Sequence, residues 1–400
     1  MSDYCRWQGV TCSNSSSYSS DPVIMRLNLP NYNLSGNVDF IESLASLSEL
    51  NTLSLPSNKL YGRFSENSFN FKNLARLVLG RNSIEGSLPS SISRLQKITQ
   101  LSISNNKLTG KIPEELFSLT CLTHLGLNDN YFYGLLSQSI GKLQNLTVLY
   151  IQDNSFSGPL PNSMYSLMEL EQLYAQFNSF NGSLSDDVGR LKKLNFLQLY
   201  RNSLTNTIPH SIGSLKNLTI LGLSFNQFRG VIPESIGNIK SLEFLYIRMN
   251  SLTGTIPSTL GALKKLNLIA VNNNNIQGTL PIELSNLVHL GSLLLHDNAF
   301  TGTIPTQLSS LTSLQNFQLQ NNFFSGDITN LLTTNHHSLE LFDISNNLFT
   351  SSLPSVMFSL RNIISIAASS NCFRGSLPDN ICNSTTLSTL ALDGLSSNNR

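Results

Sequence analysis

Along most of the chain, apolar and polar positions recur with a fixed long period. Aligning segments on Asn-x-[LIF]-x-Gly places Asn58, Asn82, Asn106, Asn130, Asn154, Asn178, Asn202, Asn226, Asn250, Asn274, Asn298 and Asn322 at steps of 24 residues. Asn347 and Asn371 follow after a one-residue insertion. A first copy with Tyr32 in the Asn place makes fifteen positions, fourteen of them Asn. The segment from His289 to Pro305 shows what one period predicts. Leu293 and Leu295 alternate with Ser292, Leu294 and His296, so a short strand turns the first pair inward and the other three outward. Stacked copies then form a parallel sheet on one side. Leu290, Phe300, Ile304, Leu308 and Leu311 complete an interior that a single copy cannot bury alone.

The Asn column reads as scaffold. A buried side-chain amide carries two donors and an acceptor, and at the turn leaving the strand it can satisfy backbone groups of its own coil and the next. The Gly four places on, present at thirteen of fifteen positions with Asn206 and Ser351 as exceptions, suits a tight bend with little room for Cβ.

A period of 20 to 29 residues with L-x-x-L-x-L-x-x-N identifies the chain as a leucine-rich-repeat protein. The expected fold class is an α/β repeat solenoid, a leucine-rich-repeat superhelix with a parallel β-sheet on its concave face and 24-residue coils. In ten coils x-[ILV]-Pro follows the Gly position, at Pro89, Pro113, Pro161, Pro209, Pro233, Pro257, Pro281, Pro305, Pro354 and Pro378. This extension resembles the plant-type repeats of receptor-like kinase ectodomains, receptor-like proteins and polygalacturonase-inhibiting proteins. Cys5-Arg6-Trp7-Gln8-Gly9-Val10-Thr11-Cys12 is similar to the N-terminal cap of that family. The resemblance implies a Cys5–Cys12 disulfide, a Trp7 that covers the first coil, and an oxidising compartment. The expected organisation is a cap over 1–23, an array of about fifteen coils over 24–386, and over 387–400 a truncated further repeat or C-terminal cap, in which Leu395 stands where Asn is expected.

Composition narrows the function. Only 12% of residues are charged, and 25 basic against 24 acidic side chains give a net charge of +1. The sequence shows no basic stripe to follow a phosphate backbone or an anionic membrane, so neither nucleic acid nor membrane contact is expected of this region. No stretch approaches the ~20 apolar residues of a membrane span, and the start lacks the apolar core of a secretory signal. The chain therefore reads as a fragment, with signal and any anchor outside it. Cys121 reads as a free thiol on the outer arc. Cys372 and Cys382 either pair together, or one pairs with a cysteine beyond residue 400. Six Asn-x-Ser/Thr triplets, at Asn14, Asn33, Asn145, Asn181, Asn217 and Asn383, are candidate glycosylation sites off the outward strand positions.

No phosphate loop, kinase motif, zinc spacing or nucleophile elbow occurs, so neither catalysis nor a cofactor is expected. His336 and His337 coincide with the one-residue insertion and read as a surface bulge. The outward strand positions carry the functional expectation. In early coils they are small and polar, as at Thr52, Ser54, Ser102 and Ser104, which suggests a solvated face. From the sixth to the tenth coil they become Tyr150, Gln152, Tyr174, Gln176, Phe196, Gln198, Tyr200, Phe244, Tyr246 and Arg248, with Phe177, Arg201 and Phe225 just before their Asn. With strands about 4.8 Å apart, these side chains would span roughly 20 Å. Aromatic rings supply contact area while Arg and Gln fix orientation, the composition of a recognition surface. The competing reading is a cross-strand ladder that stabilises the sheet. The resemblance implies an extracellular or cell-surface receptor ectodomain that binds a peptide, glycan or protein, with a co-receptor as a further partner. The alternative is a secreted inhibitor of a cell-wall-degrading hydrolase.

Overall fold

The computed structural model describes residues 3–13, 22–350 and 352–392. The chain divides into two compact units, residues 1–182 and 183–400. Each is a solenoid built from the same coil.

In the first unit, Val10–Cys12 pairs antiparallel with Ile24–Asn28. A parallel ladder then runs through Thr52–Ser54, Arg76–Val78, Gln100–Ser102, His124–Gly126, Val148–Tyr150 and Gln172–Tyr174. In the second unit the ladder starts at Phe196–Gln198 and ends with Ser365–Ala367 beside Thr389–Ala391. Leu101 faces Leu125, Leu125 faces Leu149 and Leu149 faces Leu173, so a strand meets its neighbour 24 positions on. Inside the array the inward pair is sealed, as Leu293 and Leu295 show, while Ser292, Leu294 and His296 are half-buried; in the first coil Leu27 and Leu29 are only half-buried. Leu290, Phe300, Ile304, Leu308 and Leu311 are all buried. Phe132, Phe156 and Phe180 stack through the first interior with centroids 6.3 and 6.1 Å apart. Phe300, Phe324, Phe349 and Phe373 do so in the second.

The helical part of the coil is a short 3-10 turn, such as Glu114–Ser118 behind Pro113, and the single α-helical turn among the described residues is Ile41–Leu44. Proline fits there because its φ is preset and its missing N–H is not needed at the start of a turn. After the Asn, a second strand forms that the alternation did not predict. Ser35–Asn37, Lys59–Arg63, Ser83–Gly86, Lys107–Gly110, Tyr131–Leu135 and Ser155–Pro159 make a second parallel ladder in the first unit. Gly134, at φ +86°, lies on this strand where Lys111 of the preceding coil crosses it.

The Asn side chains bridge coils, and they reach back to the preceding coil, not forward. Asn106 Nδ2 donates to Ile103 O of its own coil and to Leu79 O of the coil before, while its Oδ1 accepts Ile84 N–H at 3.0 Å.

Several expectations are corrected. Trp7 is 66% exposed and does not bury itself over the first coil, although Cys5 and Cys12 do form a disulfide. Cys372 and Cys382 do not pair with each other, both being free and exposed, whereas Cys121 is the free thiol expected. Ser54 is buried, so that early position is not solvated. On the outer arc Lys216, Lys240 and Lys264 do fall into a basic column. Their ammonium groups donate to carbonyls that close the 3-10 turns, Lys216 to Gly213 O at 2.8 Å and to Asn238 O of the next coil at 3.1 Å. A cation there complements the turn's exposed carbonyls.

His336 is also not a surface residue, being 1% exposed, whereas His337 is exposed. Eleven places before the Asn, every coil from Leu95 to Leu311 has a buried Leu or Ile, and His336 occupies that place before Asn347. Its Nδ1 accepts Thr333 N–H at 3.1 Å. Burial, joined by the nearby His337, holds its pKa below the usual histidine value, against a smaller opposing effect of the Thr333 carbonyl oxygen 3.2 Å from Nδ1. Below a pH of about 6.5 the unfolded chain therefore takes up a proton that the native state refuses, and stability falls as pH falls through that window. His336→Leu is expected to raise the melting temperature at pH 5 more than at pH 8. A variant melting curve shifted equally at both pH values would refute this.

Candidate functional site

The outward strand residues form two clusters, one in each unit. In the first, Val148–Tyr150 and Gln172–Tyr174 are paired so that Tyr150 stands opposite Tyr174. Their rings meet edge to face with centroids 5.0 Å apart, and Tyr150 Oη donates to Gln172 Oε1 at 2.6 Å. Partial burial raises both phenol pKa values, so both stay protonated and able to donate at neutral pH. Gln176 is buried, and its Oε1, like that of Gln152, has no hydrogen-bond partner. Phe177 is 40% exposed. The edge-to-face Tyr pair is the cross-strand contact that the stabilising reading anticipates.

The second cluster is a pocket of about 370 Å³ lined by Gln198, Tyr200, Arg201, Ser224, Phe225, Tyr246 and Arg248. Phe225 stands between two cations, with the Arg201 guanidinium carbon 4.5 Å and that of Arg248 5.1 Å from its ring centroid. The ring face stabilises each guanidinium and spreads the two like charges apart. Two cations and no carboxylate line this space. Tyr246 stacks on Phe244 with centroids 6.2 Å apart, and burial raises its pKa against the opposing charge of Arg248. Phe196 and Gln198 lie two strands away, with Ile220–Gly222 between.

Two contributors stand in the outward strand columns of the sequence but were not counted among the candidate site residues. Gly222 leaves the space that Gln198 fills, because a Cβ there would lie 1.9 Å from Gln198 Oε1. Ser224, buried with an unpaired Oγ, forms part of the pocket lining. A Gly and a Ser among outward positions otherwise holding large side chains were the available signal.

Of the candidate glycosylation sites, Asn33, Asn145, Asn181 and Asn217 are exposed, while Asn14 and the side chain of Asn383 lie outside the described residues. Among the described residues no three His, Cys, Asp or Glu side chains are grouped to hold a metal ion.

Fold and site together define a repeat scaffold that displays aromatic, Arg and Gln side chains on its strands. A leucine-rich-repeat region model matches residues 114–230, and further leucine-rich-repeat models match 72–132 and 241–263. The chain is 36% identical over 91 residues to phytosulfokine receptor 1 of Arabidopsis thaliana, a match covering 23% of this chain and 8% of that protein. It resembles the solved plant peptide hormone receptor RGFR1 in complex with RGF2, with a TM-score of 0.87 and 29% identity over 91% of this chain. It also resembles a TDR receptor, with a TM-score of 0.88 and 30% identity over 92% of this chain. The chain spans 58% and 64% of the length of those two. Its coils are leucine-rich repeats, and it is similar to plant receptor-like proteins built from them.

Proposed function

We propose that this chain is the extracellular recognition region of a plant-type receptor, non-catalytic in itself, and that it binds a peptide at its strand-face clusters. The observation that carries the reading is the pocket around Phe225. An aromatic ring held between two guanidinium groups, rimmed by Tyr200 and Tyr246 and free of carboxylates, suits a peptide segment with an apolar and an anionic group. The resemblance to a receptor whose structure holds a peptide hormone supports peptide over glycan.

The test is calorimetry with a peptide ligand selected on the native chain, beside the melting temperature of each variant. Tyr174→Ala, Tyr200→Ala and Tyr246→Ala are expected to weaken binding by about 2 kcal/mol each where the ring is an anchor. Ser102→Ala, in an early coil, should leave affinity unchanged. Full affinity in all three Tyr variants would remove the ligand from this face.

A further inference from the structure

On the outer face of the second ladder in the first unit, one coil departs from all its neighbours. Tyr131, Tyr133 and Leu135 project from a single strand with 62%, 49% and 67% of their surface exposed. The matching positions on the flanking strands hold Lys107, Thr109, Ser155 and Ser157. Tyr131 is paired with Thr109 and Tyr133 with Ser155, so neither ring has an aromatic partner across the sheet. Stabilisation of the ladder therefore does not account for them. Exposing three large apolar groups side by side is costly in water and marks a contact surface.

The surroundings indicate what covers this stripe. Leu135 lies over Gly158, whose absent Cβ makes the room, and forms the wall of a groove of about 390 Å³ with Leu136, Pro159 and Pro161. The stem of Lys111 runs alongside Gly134, which brings its ammonium group beside the stripe. Lys107 and Lys111 are exposed and meet no carboxylate among the described residues. The two acids at hand have other partners: Glu85, opposite Lys107 on the neighbouring strand, faces Arg63 at 3.4 Å, and Glu114, which lines the same groove, accepts a hydrogen bond from Ser137 at 2.9 Å.

We propose that this stripe is a docking surface for another protein, one that brings apolar side chains to the groove beside Leu135 and carboxylates to Lys107 and Lys111. Tyrosine supplies large contact area at little conformational cost, and the unpaired cations select the charge of the partner. This surface is separate from the peptide clusters and stands or falls independently of them.

The experiment uses two synthetic peptides of equal length, alternating Leu and Phe with Glu in one and with Lys in the other, and titrates each into the full chain by fluorescence anisotropy. The acidic peptide is expected to bind at least about tenfold more tightly than the basic one. Combining Tyr131→Ser, Tyr133→Ser and Leu135→Thr, changes to residue types that the neighbouring coils carry, should remove that binding at an unchanged melting temperature. Lys107→Glu with Lys111→Glu should invert the preference, and Tyr246→Ala should leave it intact. Equal affinity for both peptides, or a triple variant that binds like the parent, would overturn the proposal. So would self-association that the triple variant abolishes, because a second copy would then be the occupant.

Discussion

Asn226→Ala is expected to cost about 3 kcal/mol, among the largest losses any single polar side chain in this array can produce. Asn226 is buried. Its Oδ1 accepts Leu204 N–H at 3.0 Å, and its Nδ2 donates to Leu199 O at 3.0 Å, Leu223 O at 3.1 Å and Ser224 O at 3.3 Å. Leu199 and Leu204 belong to the preceding coil, so truncation leaves unpaired backbone groups on both sides of a coil interface. Stability in such arrays is a sum over coils and their nearest-neighbour contacts, which makes that interface the point where cooperativity breaks. Asn362→Ala is the comparison, because its amide makes one exposed bond, to His337 O at 2.7 Å, and should cost less than about 1 kcal/mol. The measurement is urea denaturation of both variants. A comparable shift in midpoint for the two would defeat the bridging argument.

Phe225→Asn should move stability and binding in opposite directions. Phe225 sits at φ +54°, in the left-handed region, which a bulky side chain adopts at a cost of order 1 kcal/mol or more and Asn tolerates. At the corresponding turn most other coils carry Asn, Asp or Ser, as at Asn105, Asp129, Asn273 and Ser370. Phe177, Arg201, Phe225 and Met249 interrupt that pattern in four successive coils. Removing the ring should relax the turn and raise the melting temperature. It should also leave Arg201 and Arg248 facing each other without the surface that separates them, lowering peptide affinity by about 2 kcal/mol, roughly thirtyfold. A variant that gains stability and keeps its affinity would show that the large residue serves no ligand.

The ladder and its interior were legible because each position is written many times over. Leu293, Leu295 and Phe300 repeat in kind from coil to coil, and repetition averages out local exceptions. Tyr150, Tyr174, Tyr200, Tyr246 and Arg248 stood out against that background by being large where the early coils are small. What was not legible lay in segments with no alternation to read. The second strand, Tyr131–Leu135 in one coil, takes its form from pairing with neighbouring copies, not from its own pattern. The stripe of Tyr131, Tyr133 and Leu135 was missed for that reason. His336 was misread because a pair of adjacent histidines suggests surface chemistry, whereas counting back from Asn347 assigns it to the leucine column. Trp7 was expected to lie against the first coil by resemblance, and the geometry around Gly9, whose Cβ would strike Asn28 O and Leu29, leaves the contact to backbone and not to the indole.

The one-residue insertion after Asn322 tells where this architecture tolerates change. Phe317 pairs with Phe342, one place further on than the usual step, and Phe342 with Ile366 at the usual one, so both strands stay in step. Asn347 still closes onto Phe324 N–H at 3.0 Å. The extra residue is absorbed away from the strand, between Ile328 and His336. The strand and its Asn thus act as the escapement of the molecule, holding time for every coil, while the far side of each coil is free to lengthen. A change of length there leaves the outward strand side chains in their places.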